Sequence, residues 1–200
     1  PGVALDWGNS EQERGSGMDL SGRESGEPFK RLFFALECAP AQRRDIAHWR
    51  SALGSGLGRP VASANFHLTL MFLGAVSTAQ LPAILAAAAQ VKVPQKPLTV
   101  MLDRLEVWRP AKALVLMPTQ PPAALRQLVY TLQQAMLPLG FADAPREYRP
   151  HLTLARDCHS PVPEAPVAAN FTLRARHFTL LESRKGQYWP LAQWPLQVQG

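Results

Sequence analysis

NFHLTL at residues 65–70 and RPHLTL at 149–154 spell His-Leu-Thr-Leu twice in one chain, eighty-four residues apart, in a sequence with only five histidines. In an extended strand side chains alternate between faces. His67 and Thr69 therefore point one way and Leu68 and Leu70 the other, and His151 and Thr153 stand in the same relation to Leu152 and Leu154. The leucines face a core. If a pseudo-twofold axis brings the two strands together, two imidazoles and two hydroxyls converge in one cleft, which makes an anion site with an acid and a base attached.

The flanks of both motifs support such a duplication. RLFFALE (31–37) is a short run without polar alternation, as in a strand buried on both faces. Pro40 suits a first helical turn, Ile46, Trp49 and Leu53 follow at helical spacing, and Gly54 offers a stop. After the first histidine strand, Ser77 and Gln80 have the form of a capping box opening a helix to about Val91, and PLTVMLDRLEVW returns to strand character. The pattern then repeats. KALVLMP (112–118) reads as a buried strand, and Leu125, Leu128, Val129, Leu132 and Met136 mark an amphipathic helix before the second histidine motif. Beyond the loop SPVPEAP, FTLRARHFTLLESR and QYWPLAQWPL are strand material. Each half thus reads as strand, helix, histidine strand and further strands, an α+β chain of two pseudo-symmetric lobes.

Composition narrows the possibilities. Two hundred residues with 46% hydrophobic content suffice for one domain or two lobes sharing a core. No apolar run reaches the roughly 18 residues of a membrane span, and the N-terminus has no secretory pattern, so the expected location is the cytoplasm. Residues 1–29 hold six acidic and two basic side chains among many Gly and Ser, a net charge of −4. They read as a disordered leader, either a natural tail or residues left by an expression vector, with Met18 as an alternative start. The single folded domain is then 30–200, with nineteen Lys and Arg against nine Asp and Glu, close to +10, which favours a polyanionic partner. Cys38 and Cys158 are too few for a disulfide framework and read as free thiols. Cys158 lies between Asp157 and His159, but with no second ligand cluster it does not make a metal site.

Each residue type in the repeat suits phosphodiester chemistry. Imidazole titrates near neutrality, so one copy can take a proton from water while the other gives one to a leaving oxygen. A threonine hydroxyl two residues on can donate to a nonbridging phosphate oxygen, and its β-branching stiffens χ1 on a strand. Neither a metal nor a cofactor is required. A lone histidine here would be read as a hydrogen-bonded, partly buried ring. The doubling points to function instead. His48, on a helix, and His177, on a strand, read as surface residues. Trp108, Tyr148 and Trp189 are candidates to stack on a base, Tyr148 first because it stands three residues before His151.

NFHLTLMFLG and RPHLTLAR resemble the paired HxTx signatures of the two-histidine phosphoesterase superfamily. RLFFALECAP resembles its bacterial RNA 2′,3′-cyclic phosphodiesterase branch, also known as 2′-5′ RNA ligases. The resemblance covers residues 30 to about 196. It implies a bilobal α+β fold with antiparallel or mixed sheets facing a central cleft and helices outside, and cleavage of a 2′,3′-cyclic phosphate at an RNA end to leave a 2′-phosphate. It also implies His67 as general acid to O3′, His151 as general base for water, and Thr69 and Thr153 as phosphate-binding hydroxyls. The family's arginine after the second motif falls on Arg156. Strand parity opposes that role, since Arg156 alternates with Leu154 and should face away from the cleft unless the strand ends or bulges near Ala155, or the side chain reaches round its edge. The expected partners are RNA ends or nucleoside 2′,3′-cyclic phosphates, met by a monomer. Three alternatives stay open from sequence: ligation in the same site, a non-catalytic nucleotide- or RNA-binding module, and a smaller cyclic phosphate as substrate.

Overall fold

The computed structural model describes residues 28–94, 96–141 and 147–196. Of the expected leader, residues 1–27 lie outside these. Pro28 and Phe29, assigned to it by composition, already belong to the fold: Phe29 pairs with Ser77, and the Thr78 N–H donates to the Pro28 carbonyl at 2.9 Å.

Strand β1 (Phe29–Glu37) is buried on both faces, as its unbroken apolar run requires. Leu32, Phe34 and Leu36 enter the main core, while Phe33 and Ala35 join a separate cluster with Leu181. Pro40 opens α1 (Pro40–Ser51), whose Ile46 enters the same core. Then come β2 (Arg59–Pro60), β3 (His67–Ser77), α2 (Leu81–Ala89), β4 (Leu98–Leu102), β5 (Arg104–Trp108), β6 (Ala113–Met117) and α3 (Ala123–Met136). The chain closes with β7 (Leu152–Arg156), β8 (Phe171–Ala175), β9 (His177–Arg184) and β10 (Gln187–Pro195). The capping box at Ser77 is only half realised. Ser77 Oγ accepts from the Ala79 N–H in a 3₁₀ turn before α2, and the Gln80 amide instead donates to the Leu139 carbonyl at 3.3 Å.

The duplication is plain in the units β1-α1-β3 and β6-α3-β7. All strand pairs among the described residues are antiparallel, in sheets of order β10-β9-β1-β3 and β2-β7-β6-β5, with β4 and β8 forming a third pair. The remaining strands do not stay with their own half. PLTVMLDRLEVW breaks at Asp103, so that β4 joins β8 while β5 completes the second histidine sheet. FTLRARHFTLLESR breaks at Arg176, and β9 crosses back to the first. The Asp103 carboxylate accepts from the Thr119 N–H at 2.8 Å, and the Arg176 carbonyl from the Leu196 N–H at 2.8 Å, so both breaks are held. Leu68, Leu70, Leu152 and Leu154 enter one core with Leu128 and Leu132 of α3. Each buried leucine contributes about 1.5–3 kcal/mol, which fixes the orientation of both histidine strands.

Both strands carry a bulge at the same place. Between Thr69 and Met71, β3 advances two residues while β1 advances one, and between Thr153 and Ala155, β7 does the same against β6. Leu70 and Met71 are accordingly both buried, as are Leu154 and Ala155. Parity is reset beyond the bulge, so Phe72 and Arg156 return to the face of the histidines. The Leu154 carbonyl at the bulge is taken by the Val61 N–H at 2.9 Å and by the Arg50 guanidinium of α1 at 2.8 Å.

Beside this bulge, β2 pairs Arg59 with Arg156 and Pro60 with Ala155. Gly58 leads into it at φ +90°, and a Cβ there would stand 2.1 Å from the Arg156 carbonyl oxygen. Gly58→Ala is expected to cost on the order of 3 kcal/mol, from backbone strain and from displacing β7, and to lower the melting temperature by roughly 10 °C. Gly56, at φ +78° with open space around its Cβ position, is the control. Gly56→Ala should cost only about 1 kcal/mol, since it meets the φ strain alone. Equal melting temperatures for the two variants would show that the close approach at Gly58 does not matter.

Candidate active site

His67 opens β3, and His151 immediately precedes β7. The two strands pack against each other where the sheets meet. Each ring is tethered in the same way: His67 Nδ1 lies 2.7 Å from the Asn65 carbonyl oxygen, and His151 Nδ1 lies 2.9 Å from that of Arg149, two residues upstream in both cases. A carbonyl only accepts, so each Nδ1 carries the proton and each neutral ring presents an Nε2 lone pair. For His67, Nε2 meets Thr69 Oγ1 at 2.8 Å, and in the neutral ring the hydroxyl is the donor. Thr153 occupies the matching position on β7, in register with Val115. Arg156 lies near enough for its charge to act on both rings. The bulge thus resolves the parity conflict, bringing Arg156 to the shared site.

The description of one family model reads 2′-5′ RNA ligase superfamily, and that model matches residues 37–187. The chain belongs to this superfamily. It is 36% identical over 172 residues to an RNA 2′,3′-cyclic phosphodiesterase of Escherichia coli, covering 84% of this chain and 97% of that one. Among solved structures it is similar to Escherichia coli LigT complexed with 3′-AMP, at 35% identity and a TM-score of 0.76 over 84% of this chain and 98% of that one. LigT complexed with phosphate matches at 32% identity and a TM-score of 0.74, over 86% and 99%. The bilobal α+β architecture expected from sequence is therefore that of the superfamily.

The electrostatics of the pair follow from its surroundings. His67 and His151 are each half-buried, and the packed protein displaces much of their hydration. Burial therefore lowers the pKa of His67 to about 4, with the Asn65 hydrogen bond opposing and the charges of His151, Arg156 and Arg43 reinforcing the shift. His151 is likewise lowered to about 4 by burial, with the Arg149 carbonyl bond opposing and the charges of Arg149 and Arg156 reinforcing. Both rings are neutral in the free superfamily member near pH 7.

The two half-sites have different walls. Around His67 stand Phe33 and Tyr188, each with its ring centre 5.1 Å away, and Phe72 packs on Phe33. Against His151 lies Trp108 at 4.2 Å, with the Arg149 guanidinium over the indole at 4.3 Å. Glu106 accepts from Trp108 Nε1 at 3.2 Å and pairs with Arg149 at 3.7 Å, fixing that stack. Trp108, a stacking candidate by sequence, is buried against the His151 ring. Trp189 lies at the exposed edge with Arg184 over it. Tyr148 is half-buried, and its hydroxyl donates to the Thr69 carbonyl at 2.7 Å, tying the second motif's approach segment to the first motif.

Sequence reasoning missed the tethers at Asn65 and Arg149, although their equal offset from the two histidines was visible. It also missed Glu106 and Arg149 as the supports of Trp108. His48 and His177 are exposed, as expected. Cys38 and Cys158 are free and buried, and burial pushes the Cys38 thiol up to about 11, so it is no ready nucleophile.

Proposed function

We propose that this chain hydrolyses 2′,3′-cyclic phosphates at RNA ends and on nucleosides, leaving a 2′-phosphate. The carrying observation is the pair of imidazoles tethered alike at Nδ1, with both Nε2 atoms unprotonated in the neutral rings and one arginine acting on both. The names of the relatives support this reading. His151 Nε2 takes a proton from water, whose oxygen forms the new bond to phosphorus, while the P–O3′ bond breaks and O3′ receives the proton from His67 Nε2. The pair then returns to its starting state by exchange with solvent. Thr69 and Thr153 donate to nonbridging oxygens, and Arg156 neutralises the phosphate, where a guanidinium fork suits paired oxygens. Cyclic phosphate opening needs base and acid on opposite sides of phosphorus, which a pseudo-twofold arrangement provides. The enzyme acts as a cytoplasmic monomer without a resident metal.

The test offers a panel of nucleoside 2′,3′-cyclic phosphates, 3′,5′-cyclic nucleotides and cyclic-ended oligonucleotides, with and without a chelator, and identifies the phosphate position in each product. A 2′-phosphate from the 2′,3′-cyclic compounds alone, insensitive to chelator, is the expected result. A 3′-phosphate product, or activity lost to EDTA and restored by one metal, would overturn the assignment.

A further inference from the structure

Three loops meet where β7 leaves the site. Residues 56–59 lead into β2, residues 109–112 turn from β5 to β6, and residues 157–160 follow β7. They are tied together: the Cys158 N–H donates to the Lys112 carbonyl at 2.8 Å, the Arg109 guanidinium to the Ser160 carbonyl at 3.1 Å, and Ser160 Oγ to the Gly56 carbonyl at 3.2 Å. Their charges are nearly all of one sign. Arg59 pairs with Asp157 at 2.5 Å, and no carboxylate among the described residues forms a salt bridge with Arg109 or Lys112. Both of these side chains are exposed.

The cluster is continuous with the catalytic site on two sides. Arg59 stands in register with Arg156, whose charge reaches both histidines. Arg109 directly follows Trp108, the ring packed on His151. Several other cations are paired with carboxylates: Lys30 with Glu182, Arg43 with Glu37 and Arg126 with Glu147. Arg109 and Lys112, exposed and without a carboxylate partner among the described residues, therefore add positive charge on this side of the site. A mononucleotide carries no backbone phosphates beyond its own to place on this rim. A polynucleotide carries further phosphates, each of which releases counterions on meeting a cation.

We infer that the rim formed by Arg109 and Lys112 is a docking surface for the backbone phosphates of single-stranded RNA running away from the reacting end. The inference rests on the proposed function and adds to it that the favoured substrate is a chain, not a nucleoside cyclic phosphate. The recognition is by charge and takes no account of base identity, because cations meeting backbone phosphates carry no sequence information.

The test uses Lys112→Asn and Arg109→Gln. Lys112 sits at φ +53°, which asparagine tolerates, and glutamine retains an N–H donor for Ser160. Dissociation constants for a cyclic-ended oligonucleotide are measured across a salt series with a His67→Ala background to prevent cleavage, and turnover of a cyclic mononucleotide is measured in the wild-type background. The slope of log affinity against log salt should fall by about 0.7 for each cation removed and by about 1.4 in the double variant, with mononucleotide turnover unchanged. Unaltered slopes would overturn the docking surface while leaving the proposed reaction standing. Mononucleotide turnover that falls in step with RNA affinity would also overturn it, since the two residues would then serve the reaction or the fold. Failure of the unmutated enzyme to open any cyclic mononucleotide would instead strike at the proposed function, and the slopes would still be readable.

Discussion

His67→Ala and His151→Ala are each expected to lower kcat by about 10²- to 10⁴-fold, because each removes one partner of the proposed proton transfer and general acid or base catalysis is typically worth that much. The two losses should not multiply. In the proposed mechanism acid and base act in one step, so the double variant should fall little below the weaker single one, as happens when residues work as a unit. The fold should survive both changes. The neighbouring leucines Leu68 and Leu152 are fully buried and hold the strands, whereas His67 and His151 are only half-buried. Circular dichroism and a thermal melt at pH 7 check the fold, and steady-state turnover of a 2′,3′-cyclic nucleotide checks the rate. Near wild-type turnover in either variant would remove that histidine from the mechanism.

The parts of this architecture that were legible in sequence are those written in side-chain period and in repetition. His-Leu-Thr-Leu specifies both a strand and its orientation, because a polar face and an apolar face alternate in four letters. The helical spacing of Leu125 to Met136 was equally direct, and all five residues are buried in α3. What stayed hidden depends on single backbone events. Strand parity at Arg156 raises a bulge near Ala155 as one of three possibilities, but no residue in LTLAR selects it, and without it Arg156 would point away from the histidines. PLTVMLDRLEVW reads as continuous strand, and only tertiary pairing shows that Asp103 divides it between two sheets. The two-residue strand β2 has no period to detect, and its only signal was Gly58, whose φ and close approach become meaningful once β7 is seen beside it. The charged network of Glu106, Trp108 and Arg149 joins residues forty apart in sequence, which no local pattern connects.

The dependence of kcat/KM on pH should separate the two histidines, which symmetry does not. In the free enzyme both rings titrate near pH 4, below the ordinary value of 6.5. The reactive form carries one proton on the acid and none on the base, so it is scarce at neutral pH, and kcat/KM should rise about tenfold per unit as pH falls from 7 towards 5. The limb of kcat should lie at higher pH, because a bound phosphate favours the imidazolium. Folding stability moves the opposite way. Between pH 6.5 and 4 the unfolded chain binds protons that the folded histidines refuse, so stability declines as pH falls through that window, and removing either imidazole should soften the decline. Above both pKa values the population of the reactive form depends only on the pKa of the acid, whatever the base does. Arg43 lowers His67 but is not among the charges acting on His151, and the reverse holds for Arg149. With His67 as acid, Arg43→Gln should raise its pKa and shift the alkaline limb of kcat/KM upward, while Arg149→Gln should leave that limb in place. NMR titration of the two imidazoles supplies the pKa change in each variant directly. A limb that follows Arg149→Gln and ignores Arg43→Gln would exchange the roles, making His151 the donor to O3′ and His67 the base for water.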